Sequence, residues 1–172
     1  MTTTLRPETS EFAEYYVRYV ELVPEGDITR ILQTQRNDAL TQFRSISEDR
    51  SQHRYAPGKW TIREVLGHIN DCERLFAFRA MWFARGLEGA LPSFDQDLAV
   101  GAAASNARTW KSHMDEFQGL RDSTIALFAG LSDDAWSRRG TASGYEFTVR
   151  ALAWITAGHL AHHLRILQER YS

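Results

Sequence analysis

Along most of this chain apolar residues recur at the spacing of an amphipathic helix, and the alternation of a strand is nearly absent. Residues 11–22 carry Phe12, Tyr15, Tyr16, Tyr19 and Val20 and predict a short leading helix, which Pro24 and Gly26 end. Asp27 predicts the cap of a first long helix striped by Ile28, Ile31, Leu32, Ala39, Phe43 and Ile46. The stretch from Arg54 to Gly58 reads as a connection. Thr61 and Glu64 then form a capping box that opens a second long helix. Its stripe is Val65, Ile69, Cys72, Phe76 and Phe83, and it is expected to end near Gly86. A polar loop follows over 86–97, long enough to do more than connect. A third long helix is expected from about Ala104 to Ala129, with Trp110, Met114, Phe117, Leu120, Leu127 and Phe128. Ser132, Asp133 and Asp134 open a short turn, Gly140 and Gly144 bracket a loop, and a last helix runs from about Thr148 to Arg170. Four long helices with short extras predict an all-α four-helix bundle.

Composition narrows the class. At 172 residues the chain makes one domain, 1–172, and 43% hydrophobic with 24% charged residues places it among globular proteins rather than disordered ones. The formal charge of -2 and the lack of a basic stripe argue against a nucleic-acid partner. No apolar run is long enough to span a membrane, and the start has no apolar core of a secretory signal. The lone cysteine, Cys72, excludes an intrachain disulfide and a Cys-rich zinc finger. A cytoplasmic location is the expectation.

The candidate chemistry lies in the six histidines. His159 and His163 stand four apart in the last helix and share one face with Leu152, Thr156 and Ile166. Two imidazoles on adjacent turns of an inward stripe can converge on one metal ion. His68, on the stripe of Val65, Cys72 and Leu75, offers a third imidazole from another helix. Three protein ligands leave open positions for water or substrate, the arrangement of a catalytic rather than a structural site. A His-Glu-x-x-His protease reading fails because position 160 is Leu160. Nucleophile-elbow and phosphate-loop motifs are absent. Asp71 is a candidate to orient a ligand imidazole, with a surface role equally open. His162, rotated off the ligand face, is a candidate neighbour of the ligands. Cys72 reads as a buried thiol before a fourth ligand or nucleophile. His113 reads as a core histidine, and His53 receives no role. Arg79 could anchor a carboxylate or thiolate, or pair with an acidic residue on a neighbouring helix; the pairing is preferred.

Two strings carry a family resemblance. The segment from Tyr55 through Trp60 and His68 to Asp71 resembles the start of the second helix of the DinB-like superfamily, and His159-Leu-Ala-His-His163 is similar to its terminal-helix motif. The resemblance extends from about Leu22 to Tyr171. It implies a bundle running up-down-down-up, a divalent metal held by His68, His159 and His163, and a homodimer. Relatives include enzymes that use low-molecular-weight thiols. The expected function is therefore a metal-dependent enzyme on a small-molecule substrate, of thiol-dependent transferase or hydrolase type. Zinc is the default ion, with nickel, iron or manganese also suited, and a low-molecular-weight thiol is a candidate co-substrate. The alternatives are a non-catalytic metal-binding stress-response or ligand-binding bundle, and an interaction protein without metal.

Overall fold

A computed structural model describes residues 5–171. Four long helices dominate it: α2 (Ile28–Arg44), α3 (Ile62–Ala84), α5 (Trp110–Ala129) and α6 (Val149–Arg170). Each begins at a side-chain cap. Asp27 accepts from the backbone of Thr29 and Arg30, Thr61 from Glu64, Thr109 from Ser112 and Thr148 from Ala151. The Thr61–Glu64 capping box is reciprocal, as its spacing predicts.

Neighbouring pairs set the topology. Helix α3 packs between α5 and α6, and α2 closes the ring against the same two. Contacts fix the directions. Asn70 donates to the His113 carbonyl and Arg121 pairs with Glu73, so α3 and α5 run parallel. Gln35 reaches Ala157 and Gln42 reaches Leu164, so α2 and α6 are parallel too. Helix α2 opposes α5, because Phe43 meets Trp110 and Phe117 while Arg36 meets Asp122. Helix α3 opposes α6, since Trp60 accepts from Tyr171 while Ala84 accepts from Arg138. The order is up, down, down, up. Two parallel neighbours cannot be joined by a tight turn, so the chain between α3 and α5 must travel back along the bundle, about 34 Å for a helix of 23 residues. That return carries Leu91 in extended form and a short helix, α4 (Gln96–Ala102), capped by Asp95.

Several boundaries differ from expectation. The leading segment is two 3-10 turns, Thr9–Glu11 and Glu14–Tyr16, before a single turn α1 (Val17–Val20). Helix α5 starts at Trp110 rather than near Ala104: Ala104 is left-handed (φ 49°), residues 105–107 make a 3-10 turn, and Thr109 resets the cap. The stretch expected as a loop around Gly140 and Gly144 is an antiparallel hairpin, β1 (Arg139–Ala142) with β2 (Tyr145–Thr148). Its turn, Ser143-Gly144, has positive φ at both positions, as a two-residue hairpin requires.

The core divides into two apolar clusters. One gathers Phe76, Phe83, Phe128, Phe147 and Trp154; the other gathers Phe43, Ile69, Trp110, Phe117 and Leu160. His159 lies where the two meet on α6, between Ala157 and Leu160, and His68 lies just inside the second on α3, between Leu66 and Ile69. A bidentate Arg121–Glu73 pair, 2.8 and 2.9 Å, is buried between α5 and α3. No helix among the described residues is long and apolar enough to cross a membrane.

Candidate metal centre

Because α3 and α6 are antiparallel neighbours, the inward stripe of each faces the other. His68 comes from α3, His159 and His163 from adjacent turns of α6, and the three are 3%, 5% and 8% exposed. His159 Nε2 lies 3.1 Å from His68 Nε2 and 3.1 Å from His163 Nε2. Ring centroids are 4.5–5.0 Å apart. Burial pushes His68 down to about 4 and His163 to about 3, and it holds His159 well below the ordinary range. All three rings are therefore neutral at pH 7.

Neutral rings cannot satisfy this arrangement by themselves. An imidazole nitrogen either donates or accepts, so His159 Nε2 cannot bond fully to two neighbours. A cation among these nitrogens would take up their lone pairs. Zinc–nitrogen distances near 2.0–2.1 Å in a tetrahedral site put the nitrogens about 3.3 Å apart, close to the spacing found. His68, Cys72 and His159 form a group that could hold a metal ion, and the two spacings of His159 to His68 and to His163 fit a divalent one.

The rings are held from outside. Trp60 packs on His68 at 5.0 Å, and Tyr19 and Phe76 meet His159 edge-on at 5.6 Å. Gly158 lets the Tyr19 backbone approach α6, since a Cβ there would strike the Tyr19 carbonyl. Cys72, one turn after His68, is buried with Sγ 3.7 Å from both ring nitrogens of His68. With His68 and His159 it forms a group whose ligand atoms lie within 4.8 Å of one another. Burial pushes the thiol up to about 12. The position expected to be a plain buried thiol thus borders the imidazoles.

Other candidates stand apart. Asp71 touches Arg74 at 3.5 Å on the α3–α5 side and, among the described residues, bonds to none of the three rings. His162 packs edge-on against Tyr19 and His163 at 5.2 and 5.1 Å, a neighbour of the cluster. His113 is buried and its Nε2 lies 2.9 Å from the Ser105 carbonyl, a core role. His53 packs on Tyr171 at the bundle end.

Two cavities flank the cluster. One, about 230 Å³, is lined by His159, Cys72, Phe76, Tyr16, Tyr19 and Arg79, among others. The second, about 300 Å³, is lined by His163, Trp60, Asp97 and Tyr171. Gln96 and Asp97 at the start of α4 contribute to the first and second respectively, so the α3–α5 return borders both. Tyr16, Tyr19 and Ser143 escape a periodicity reading: the tyrosines read as core of a leading helix, and Ser143 sits in a turn without a site signal.

A helical bundle running up-down-down-up, with buried imidazoles converging between antiparallel helices, defines the class of protein. The chain belongs to the DinB superfamily, whose family profile matches residues 31–167. Among solved structures it is similar to YfiT from Bacillus subtilis, described as a probable metal-dependent hydrolase with an unusual four-helix bundle topology. The identity is 17%, the TM-score 0.61, and the match covers 94% of this chain and 91% of that one. It is also similar to the mycothiol-dependent maleylpyruvate isomerase, with 13% identity and a TM-score of 0.67 over 80% of this chain. That match spans 58% of the isomerase chain. No curated protein matches the sequence.

Proposed function

We propose that this protein is a metal-dependent enzyme acting on small molecules, of thiol-dependent transferase or hydrolase type, with one divalent ion held by His68, His159 and His163. The observation that carries it is the pair of 3.1 Å Nε2 contacts among three neutral, buried imidazoles beside a cavity. A divalent ion there supplies Lewis acidity, which lowers the pKa of a water or thiol in its open positions. The chain's own residues do the rest. Trp60, Tyr19 and Phe76 fix the rings and keep bulk water from them. The cavity shared by His159, Tyr16 and Arg79 receives the substrate. Zinc is the default ion and a low-molecular-weight thiol the candidate co-substrate. Assembly as a homodimer and a cytoplasmic location, where Cys72 stays reduced, belong to the same reading.

A second reading has its own observation. Cys72 Sγ stands near the 3.6 Å sulfur-to-nitrogen spacing that a tetrahedral zinc site with about 2.3 Å Zn–S bonds would impose. A closed four-ligand site would be structural rather than catalytic. Against it, Sγ is equidistant from both ring nitrogens of His68 rather than in line with the Nε2 lone pair.

Elemental analysis of untagged protein, purified without chelator, tests the proposal. About one divalent ion per chain is expected, lost in His163→Ala and retained in Cys72→Ala. Metal-free protein that also refuses added zinc or nickel would overturn it. Loss of the ion in Cys72→Ala would favour the closed site.

A further inference from the structure

Among the described residues three arginines are almost fully buried: Arg63, Arg79 and Arg121. Two have a carboxylate. Arg63 pairs with Glu48, and Arg121 is gripped by both oxygens of Glu73. Arg79, 2% exposed, has none among the described residues. The acidic partner preferred from the sequence is not there. A buried guanidinium without a counter-ion is costly, and an arginine does not shed its charge to escape the cost.

The hydrogen bonds of Arg79 sharpen the point. One nitrogen, Nη2, makes both described bonds, to the Pro92 carbonyl at 2.8 Å and to Ser143 Oγ at 2.9 Å. Nε is buried with no partner at all. The Tyr16 phenol, on the opposite cavity wall, is a further hydrogen-bond partner of the guanidinium, but it is neutral and brings no counter-charge. A residue serving only to pin the hairpin to the return segment would need neither the charge nor the spare donors. The pin itself is over-determined. Ser143 adopts a left-handed φ of 54°, unusual for a residue with a side chain, and its amide donates to the Leu91 carbonyl at 3.0 Å. This strained turn and the Leu91–Pro92 segment hold the guanidinium in one place.

That place is the wall of the 230 Å³ cavity whose other walls include His159, Cys72, Tyr16 and Tyr19. Residues 68, 72, 76 and 79 lie on one stripe of α3, and helical side chains lean toward the helix start. Arg79 therefore leans along the cavity toward His68. About 16 Å of helix rise separates the two backbones, and Arg79 and His159 both line the one cavity.

We propose that Arg79 is the carboxylate-binding end of this cavity, so that its ligand is a small molecule bearing a carboxylate held at Arg79 with its remainder directed toward His159 and Cys72. The inference names the substrate class of the function proposed above and rests on it only in taking the occupant to be the substrate. Binding at Arg79 itself requires no metal.

Butyrate is the probe, with butyramide as its uncharged counterpart. Binding is followed in the as-purified and the chelator-treated protein by calorimetry and by the Arg79 Nε–H resonance. Butyrate is expected to bind both forms and to shift that resonance, with butyramide at least tenfold weaker. Arg79→Gln should weaken butyrate at least tenfold. Ser143→Gly relaxes the turn and removes one of the two bonds that orient Nη2, leaving that to Pro92, and should weaken butyrate several-fold with the helical circular dichroism unchanged. Ser143→Gly decides the matter if Arg79→Gln fails to fold. Butyrate binding that Arg79→Gln or Ser143→Gly leaves intact, or no butyrate binding to either form, would overturn the inference. Arg79-dependent binding to a protein that takes up no metal would uphold it while the metal-dependent function fails. Metal uptake without Arg79-dependent binding would do the reverse.

Discussion

His159 Nε2 has two nitrogen neighbours at 3.1 Å and can bond fully to only one, so the cluster crowds more ring nitrogens together than neutral imidazoles can fully pair. The price is visible in protonation. His68 is pushed to about 4 and His163 to about 3, against about 6.5 in an unfolded chain. Between those values and 6.5 the unfolded chain binds protons that the folded one refuses. Stability of the metal-free protein is therefore full above about pH 6.5 and falls as pH drops toward 4 and then 3. For His68 alone the loss is on the order of 3 kcal/mol. Urea unfolding of chelated protein at pH 7 and pH 4.5 checks this, with a shallower slope in His163→Ala as the signature. An identical slope in that variant would mean that other groups set it. At this scale much was legible. The i, i+4 pair and the inward stripe of α3 mark all three imidazoles, whereas the lack of an acid beside Arg79 depends on packing that spacing does not record.

At the scale of elements, the turn α1 is seated on α6 by one residue. Glycine inside a helix is less favourable than alanine by about 0.5–1 kcal/mol, yet Gly158 stands in the middle of α6. Its missing Cβ is the room occupied by the Tyr19 carbonyl. Gly158→Ala should lift Tyr19 from His159, destabilising the protein by about 1–3 kcal/mol and lowering the urea midpoint. Gly119, on the exposed face of α5 with open space around it, is the control: Gly119→Ala should stabilise by up to about 1 kcal/mol. Equal effects at the two positions would show that the close approach is unimportant. Caps and long helices were readable because each rests on local chemistry, such as Thr61 with Glu64. The hairpin was not, because strands of four residues interrupted by Gly140 leave too short an alternation to see. The leading segment misled as well. Of Tyr15, Tyr16 and Tyr19 only Tyr19 is buried, and it sits on the single turn α1, while Tyr15 is exposed, so the aromatic stripe does not mark a continuous buried helix face.

Over the whole molecule, an ion shared by α3 and α6 would tie together the levels of the two apolar clusters. Anything that binds only the folded state stabilises it, by about 2.7 kcal/mol at a hundredfold excess over the dissociation constant. For a chain of this size that raises Tm by about 5–10 °C. Zinc added to chelated protein should produce this rise and His163→Ala should abolish it. Helical circular dichroism at 20 °C should be the same with and without metal, because both clusters are complete without an ion. No rise on zinc addition would count against the centre.

The helical class, the caps of the long helices and the identity of the three imidazoles were already determined by the order of residues. Period and capping are local properties, set within a turn or two of chain. The pairing of α3 with α6 rather than with α2, the return path that carries α4 past both cavities, and the cavity that joins Arg79 to His159 were decided only by tertiary structure. Each depends on contacts between residues far apart in sequence, such as Arg79 with Ser143 and His68 with His159, and helical periodicity says which face is buried but not against what.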